Sequence, residues 1–230
     1  MSKKTMLLMA GALTVIAFTA LEGIATAKET KIRCEGAGAC TFTLSGGITK
    51  FSMTNNDTLQ CSGSSGSGQV TELGAERESA TGTIQILYTG CKEQNSGFNF
   101  SCSNTATAGS ITTNQVVVHS IALPGTTNEA GVLVTNIGVT YTCAGGFAAT
   151  QSTGSIIGEA EERCNTNTGT KHTINFTTTG DGIQSLTSYT GVTFKLEAKT
   201  SHSGGGSYTT AAQSGTGTMT FNQNVIVTCA

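Results

Sequence analysis

From Val192 to Lys199 the chain alternates, with Val192, Phe194, Leu196 and Ala198 on one side and Thr193, Lys195, Glu197 and Lys199 on the other. The same period of two runs through His172, Ile174 and Phe176, and again through Val139, Tyr141 and Cys143. A strand sends successive side chains to opposite faces, so this pattern predicts strands with one packed face and one wet face. Half-polar strands of this kind belong to antiparallel sheets. About a dozen such segments fit between Thr41 and Cys229. Helical periodicity is scarce, and its best stretch, GEAEERCN at 158–165, spans only about two turns. Two glycine-serine tracts, SGSSGSGQ at 62–69 and SHSGGGS at 201–207, read as mobile loops between patterned strands. Many short strands with glycine-rich connections suit a Greek-key β-sandwich, with a closed β-barrel as the alternative. The expectation is an all-β, antiparallel fold.

Residues 1–27 break the pattern. Lys3 and Lys4 precede an apolar run from Met6 to Leu21, and Ala25-Thr26-Ala27 has the small-x-small form that signal peptidase accepts. The apolar run, about sixteen residues, falls short of the ~20 a membrane helix needs. Cleavage after Ala27 would release residues 28–230 as one β-rich extracellular domain, with 28–80 as a small N-terminal subregion. No later run is apolar enough for membrane insertion, so the product is expected outside the cell or on its envelope. Removing Lys3, Lys4 and Glu22 from 12 basic and 14 acidic residues leaves 10 and 13, a net charge of −3. Without a basic stripe, nucleic acid and anionic membranes are poor partners. Threonine supplies 38 of the remaining 203 residues, so the wet strand faces are expected to be hydroxyl-rich. T-x-T triplets run from Thr41 to Thr218 at irregular intervals, which argues against a threonine-ladder solenoid with a fixed period.

All eight cysteines follow the leader. An even count in an exported chain reads as a disulfide framework. No C-x-x-C pair favours zinc or a redox dithiol. Cys91 and Cys102 flank a turn-rich KEQNSG segment, so a hairpin would bring these two sulfurs within bonding range. Closing a loop of that size contributes ~3 kcal/mol in the chain-entropy model.

YTGCK, FSCSNTATAGSITTN (100–114), GVLVTNIGVTYTCAG (131–145) and TGSIIG (153–158) together resemble a group of exported proteins of soil actinobacteria, especially the Solirubrobacter lineage. The resemblance covers roughly residues 84–200. It implies export and an all-β fold, and it assigns no activity and no site residue. Cys164 and Cys229 fall where the group's pattern lacks cysteines, which implies that they pair. Cys34 and Cys40, in CEGAGAC, would then close a small loop and leave Cys61 for Cys143. Eight cysteines allow about 105 pairings.

Candidate chemistry is sparse. His119 and His172 lie on patterned strands and read as hydrogen-bonded strand histidines, while His202 sits in a glycine tract. Neither H-E-x-x-H nor G-x-S-x-G occurs. The carboxylates Glu159, Glu161, Glu162 and Asp181 could serve glycoside cleavage, but sugar clefts usually use aromatic surfaces, and the chain has no tryptophan. The sharpest metal pattern is GEAEERCNTNTGT (158–170), where Glu159, Glu161, Asn165 and Asn167 offer hard oxygens before Gly169, a set suited to calcium. Its spacing is not that of an EF-hand; a polar turn or short helix tethered by Cys164 accounts for it equally, and no other cofactor is expected. Three functions follow. The first is a noncatalytic envelope, adhesion or extracellular binding module, with the cell wall or another extracellular surface as partner. The second is a carrier holding a small apolar ligand in a β-enclosed cavity lined by Phe176, Phe194, Met219, Ile84 and Ile86. The third is a hydrolase whose site only the fold would assemble.

Overall fold

The computed structural model describes residues 30–54, 57–95, 98–123, 129–144, 150–165, 168–200 and 207–229. The chain begins with β1 (Thr30–Cys34), β2 (Thr41–Gly46), β3 (Thr49–Met53), β4 (Thr58–Cys61), β5 (Gly63–Val70), β6 (Glu78–Ser79) and β7 (Thr81–Thr89). The short β8 (Lys92–Asn95) and β9 (Phe98–Ser103) lead to three long strands, β10 (Ile111–Ala122), β11 (Glu129–Cys143) and β12 (Thr150–Arg163). Then come β13 (Thr168–Phe176), β14 (Thr178–Gly180), β15 (Ile183–Gln184), β16 (Ser188–Tyr189), β17 (Val192–Thr193), β18 (Leu196–Thr200) and the 21-residue β19 (Thr209–Cys229). The fold is all-β, and every strand pairing among the described residues is antiparallel.

Fifteen strands form one sheet, and its ladder returns on itself. One circuit runs β11–β12–β13–β19–β2–β5–β7–β10 and back to β11; a second runs β11–β12–β18–β19–β3–β4–β8–β9 and back to β11. β11, β12 and β19 belong to both circuits because they change neighbours partway along. β19 pairs with β3 through Ala211–Ser214 and with β2 through Gly217–Phe221. β12 pairs with β18 before Gly154 and with β13 after Gly158. Such a change of partner requires a bend, and bulges supply it. The registers of β10, β11 and β12 slip in adjacent places, between Thr112 and Gln115 and between Val134 and Ile137. Asn136 is left-handed there at φ 57°, and Gly154 opposite lies at φ 125°. Asn114 secures the bulge, its Nδ2 donating to Asn136 O (2.7 Å) and its Oδ1 accepting from Gly138 N (2.8 Å).

The core lies between the opposed layers. Phe42, Ile84, Val116, Val118, Ile156, Ile174 and Phe221 belong to its main cluster. A second cluster, at the end bounded by β3, β4, β8 and β9, joins Leu59, Tyr88, Ile111 and Tyr141 to four cysteines. A third lies on the other side of the sheet, where Ile121, Leu133 and Ile157 are covered by Leu186, Tyr189 and Phe194. Phe194 therefore departs from the face its alternation with Leu196 and Ala198 predicts. The break occurs at Phe194 and Lys195, which belong to no strand, and β18 begins only at Leu196.

Three sequence expectations are corrected. The tract 62–69 is no mobile loop: β5 fills the sheet between β2 and β7, in register with both along its whole length. Its glycines are what the position demands. A Cβ on Gly68 would collide with Thr83 O and come within 2.6 Å of the Phe42 ring. GEAEERCN is not helical either; β12 continues to Arg163, because Glu159 and Ala160 pair with Asn175 and Ile174. The other tract, 201–207, lies outside the described residues except for Ser207.

The third correction concerns two bridges. Cys34–Cys40 and Cys164–Cys229 form as the resemblance implies. Cys91–Cys102 and Cys61–Cys143 do not; the bonds are Cys61–Cys91 and Cys102–Cys143. The expected hairpin exists, with Lys92 opposite Ser101 and Cys102 N donating to Cys91 O (3.0 Å). What the hairpin alone could not reveal is the strand on either side. Cys102 is the direct register partner of Cys143 on β11, and Cys61 lies beside Cys91 where β4 turns into β5. Each sulfur bonds across to the neighbouring strand rather than along its own hairpin. Four disulfides are consistent with an oxidising, extracellular environment. Among the described residues, no helix is long and apolar enough to cross a membrane.

Candidate functional site

The alternating strands point their apolar sides into the interior, and there they leave a cavity of about 90 Å³. Ile84, Ile86, Phe176 and Met219 line it, whereas Phe194 does not. The walls are chiefly aliphatic, with polar groups confined to positions such as Thr113, Ser152 and Gln213. This volume falls well below the ~300 Å³ at which pockets for drug-sized ligands begin.

Two buried phenols border the cavity. Burial pushes the ionisation of Tyr88 well above the ordinary tyrosine value, against a smaller opposing effect of its hydrogen bond with Gln213. Burial does the same for Tyr141, which bonds with Thr150. Both groups ionise near 10.0 when exposed. Their folded-state values are raised, so the stability they contribute is intact below pH ~10 and is lost as the pH rises further. We expect unfolding stability to fall by up to ~1.4 kcal/mol per pH unit per tyrosine above that point. In an alkaline titration the tyrosinate absorbance of these two residues should rise together with loss of the fold, and Tyr141→Phe should reduce the slope.

The histidines occupy different sides of the sheet. His119 is half-buried on β10, its Nε2 3.1 Å from Thr135 Oγ1; burial lowers its affinity for a proton. No carboxylate pairs with it among the described residues. His172 projects inward from β13 beside Met219 and Ile174, with its ring edge-on to Phe221. Its Nδ1 lies 3.8 Å from Glu162 Oε2, and its Nε2 is 3.4 Å from Gly169 O. Glu162 Oε1 is held by Thr173 N (3.0 Å), but its Oε2 and His172 Nδ1 have no hydrogen-bond partner. Here an imidazole and a carboxylate do meet, yet with side chains 6% and 12% exposed they face the packed core and not an open cleft. His202 lies outside the described residues.

The calcium candidates are placed as follows. Glu159 and Glu161 alternate with Glu162, so they share the outer side of β12 while Glu162 turns inward. Glu161 Oε1 accepts a hydrogen bond from Asn175 Nδ2 (3.0 Å). Asn165 stands in the turn beyond β12 at φ 62°, its Nδ2 donating to Cys229 O (3.3 Å). Asn167 lies outside the described residues. Sequence reasoning missed another cluster, in which Glu93 approaches Cys102 and Cys143. Both sulfurs are spent in a disulfide, and the thiolate is the metal-binding form of cysteine, so the group is not a ligand set.

No family model, curated protein or solved structure matches the chain.

Proposed function

We propose that the chain is an exported, noncatalytic module that binds an extracellular surface such as the cell wall. The observation that carries this reading is the interior: an apolar core whose cavity measures only about 90 Å³. A carrier needs room for its cargo, and a hydrolase needs catalytic groups in a cleft that substrate can enter. The buried His172–Glu162 pair and the disulfide-pinned layers suit a rigid scaffold better than either. The charge-poor, threonine-rich exterior then becomes the working surface. The leader and the bridges fit the same compartment.

The test is co-sedimentation of the purified chain with isolated cell walls, paired with mass spectrometry of the denatured protein. Binding to the wall fraction with no bound small molecule is the expected result. A stoichiometric apolar compound in the spectrum, together with no wall binding, would make the chain a carrier instead.

A further inference from the structure

β13 and β18 occupy one lane of the sheet. Each pairs with β12 on one side and β19 on the other; β13 ends with Phe176 opposite Gly215, and β18 opens with Leu196 opposite Ala211. Between them residues 177–195 leave the lane and carry β14 to β17 as a strap across the outer side of the sheet. The wall therefore lacks a strand beside residues 212–214 of β19 and 156–158 of β12. The Gln184 side chain fills part of this window. Its Oε1 accepts from Gln213 N (3.0 Å), and its Nε2 donates to Gln213 O (3.1 Å) and Thr177 O (2.8 Å). A side-chain amide, with one acceptor and two donors, thus replaces the peptide group of the absent strand. Gly182 N, donating to Ser52 Oγ (3.1 Å), ties the strap down nearby.

The window opens on the interior cavity, for Phe176, Leu196, Gln213 and Ile156 all line it. Beside the window the wall is apolar on both faces. Ile156 belongs to the inner core, and its neighbour Ile157 packs on the outer side beneath Leu186, Tyr189 and Phe194 of the strap. No charged side chain lines the cavity, and several of its polar groups already have partners. Thr113 Oγ1 accepts from Ile86 N (3.1 Å), Thr216 Oγ1 donates to Asn175 Oδ1 (2.7 Å), and the Tyr88 hydroxyl bonds with Gln213. Water in such a space needs about two to four polar partners. An apolar occupant instead restores the dispersion contacts that an unfilled wall lacks. An engineered apolar cavity of about 150 Å³ admits benzene. One of about 90 Å³ takes a molecule of about three or four carbons on the same scale.

We propose that the interior cavity binds one small, uncharged apolar molecule, and that the strap 177–195 is the lid over its entrance. Such an occupant is far smaller than the cargo a carrier needs. The site goes beyond the reading of the chain as a surface-binding module and does not depend on it. Release of the Gln184 and Gly182 bonds lifts the strap and exposes an apolar path from the outer side of β12, past Phe176 and Leu196, to the interior.

Methyl NMR of the mature chain titrated with cyclopropane tests the site, with benzene as the oversized control. Saturable shifts should appear at the methyls of Ile84, Ile86, Ile156 and Ile174, which line the cavity, while those of the exposed Ile48 and Ile183 stay in place. Benzene should produce no saturable shift. No saturable response to cyclopropane, equal shifts at Ile48 and Ile183, or saturable benzene binding would overturn the site as assigned. Relaxation dispersion at half saturation tests the lid. Gln184→Ala should speed cyclopropane exchange about tenfold and leave the end-point shifts unchanged. Ser52→Ala, which removes the acceptor of Gly182 N, should speed exchange in the same direction, and it decides alone if the first variant loses its dispersed spectrum. Exchange at the parent rate in the folded variants would overturn the lid.

Discussion

Replacing Cys61 and Cys91 together by serine should lower the unfolding midpoint by about 7–14 °C. The two residues are 30 apart in sequence, and a crosslink closing a loop of that length contributes ~3.6 kcal/mol in the chain-entropy model. In a domain of this size each kcal/mol moves the midpoint by about 2–4 °C. Both sulfurs are fully buried in an apolar cluster, so the serine hydroxyls add a desolvation cost of the same sign. Removing Cys34–Cys40, only 6 apart, should cost less, about 2 kcal/mol. Thermal unfolding of both variants measures the difference. A tryptic map without reductant checks the pairing behind it. Cleavage at Lys50, Arg77, Lys92 and Arg163 should leave peptide 51–77 joined to 78–92, with Cys102 and Cys143 bridged inside 93–163. A link between 78–92 and 93–163 would instead tie Cys91 to Cys102 or Cys143 and remove the basis of the stability estimate.

The same pair of bridges marks the boundary of what local pattern can reveal. Alternation of apolar and polar residues is a property of one strand, and it located the inward sides of His172–Phe176 and Val139–Cys143 correctly. The hairpin between Cys91 and Cys102 is also local, and it forms. Which sulfur bonds to which depends on β4 and β11, brought alongside from positions tens of residues away, and no periodicity encodes that. The length of the strands was hidden for a related reason. Asn136, Gly154 and the slip after Thr112 look like turn signals in the sequence, whereas in the fold they are bulges within continuous strands. A glycine or asparagine that ends one strand and one that bends another have the same local signature.

The candidate site was legible to a smaller degree. Four of the five residues expected to line an interior cavity do so, since inward direction follows from alternation; the cavity's small volume follows from how opposing layers interdigitate, which a single strand does not record. The acidic run at 159–162 reads as a donor cluster because its residues are close in sequence. In an extended strand neighbours point apart, so Glu162 goes to His172 while Glu159 and Glu161 face outward. The strand β5 could not be read, because it has the composition of a linker.

That strand supplies the sharpest test of the fold. Gly68→Val should destabilise the chain by ~3 kcal/mol, the upper part of the range for overpacking a well-filled core, and lower the midpoint by about 6–12 °C. A branched side chain here meets Thr83 O, which belongs to the β5–β7 ladder, and the Phe42 ring on β2. The ring could turn aside, but the carbonyl cannot move without breaking sheet hydrogen bonds. The stiffer backbone of valine in the unfolded chain offsets only ~0.5–1 kcal/mol of this. Phe42→Leu should recover part of the loss when combined with Gly68→Val, a coupling expected only of residues in contact. Ser67→Val, one position away, faces the exposed outer side and should change stability by no more than ~0.5 kcal/mol. Alternation of severity along β5 is the signature of a strand built into the sheet. If thermal unfolding found both substitutions equally mild, residues 62–69 would be the flexible tract their composition suggests, and the circuit through β2, β5 and β7 would be open.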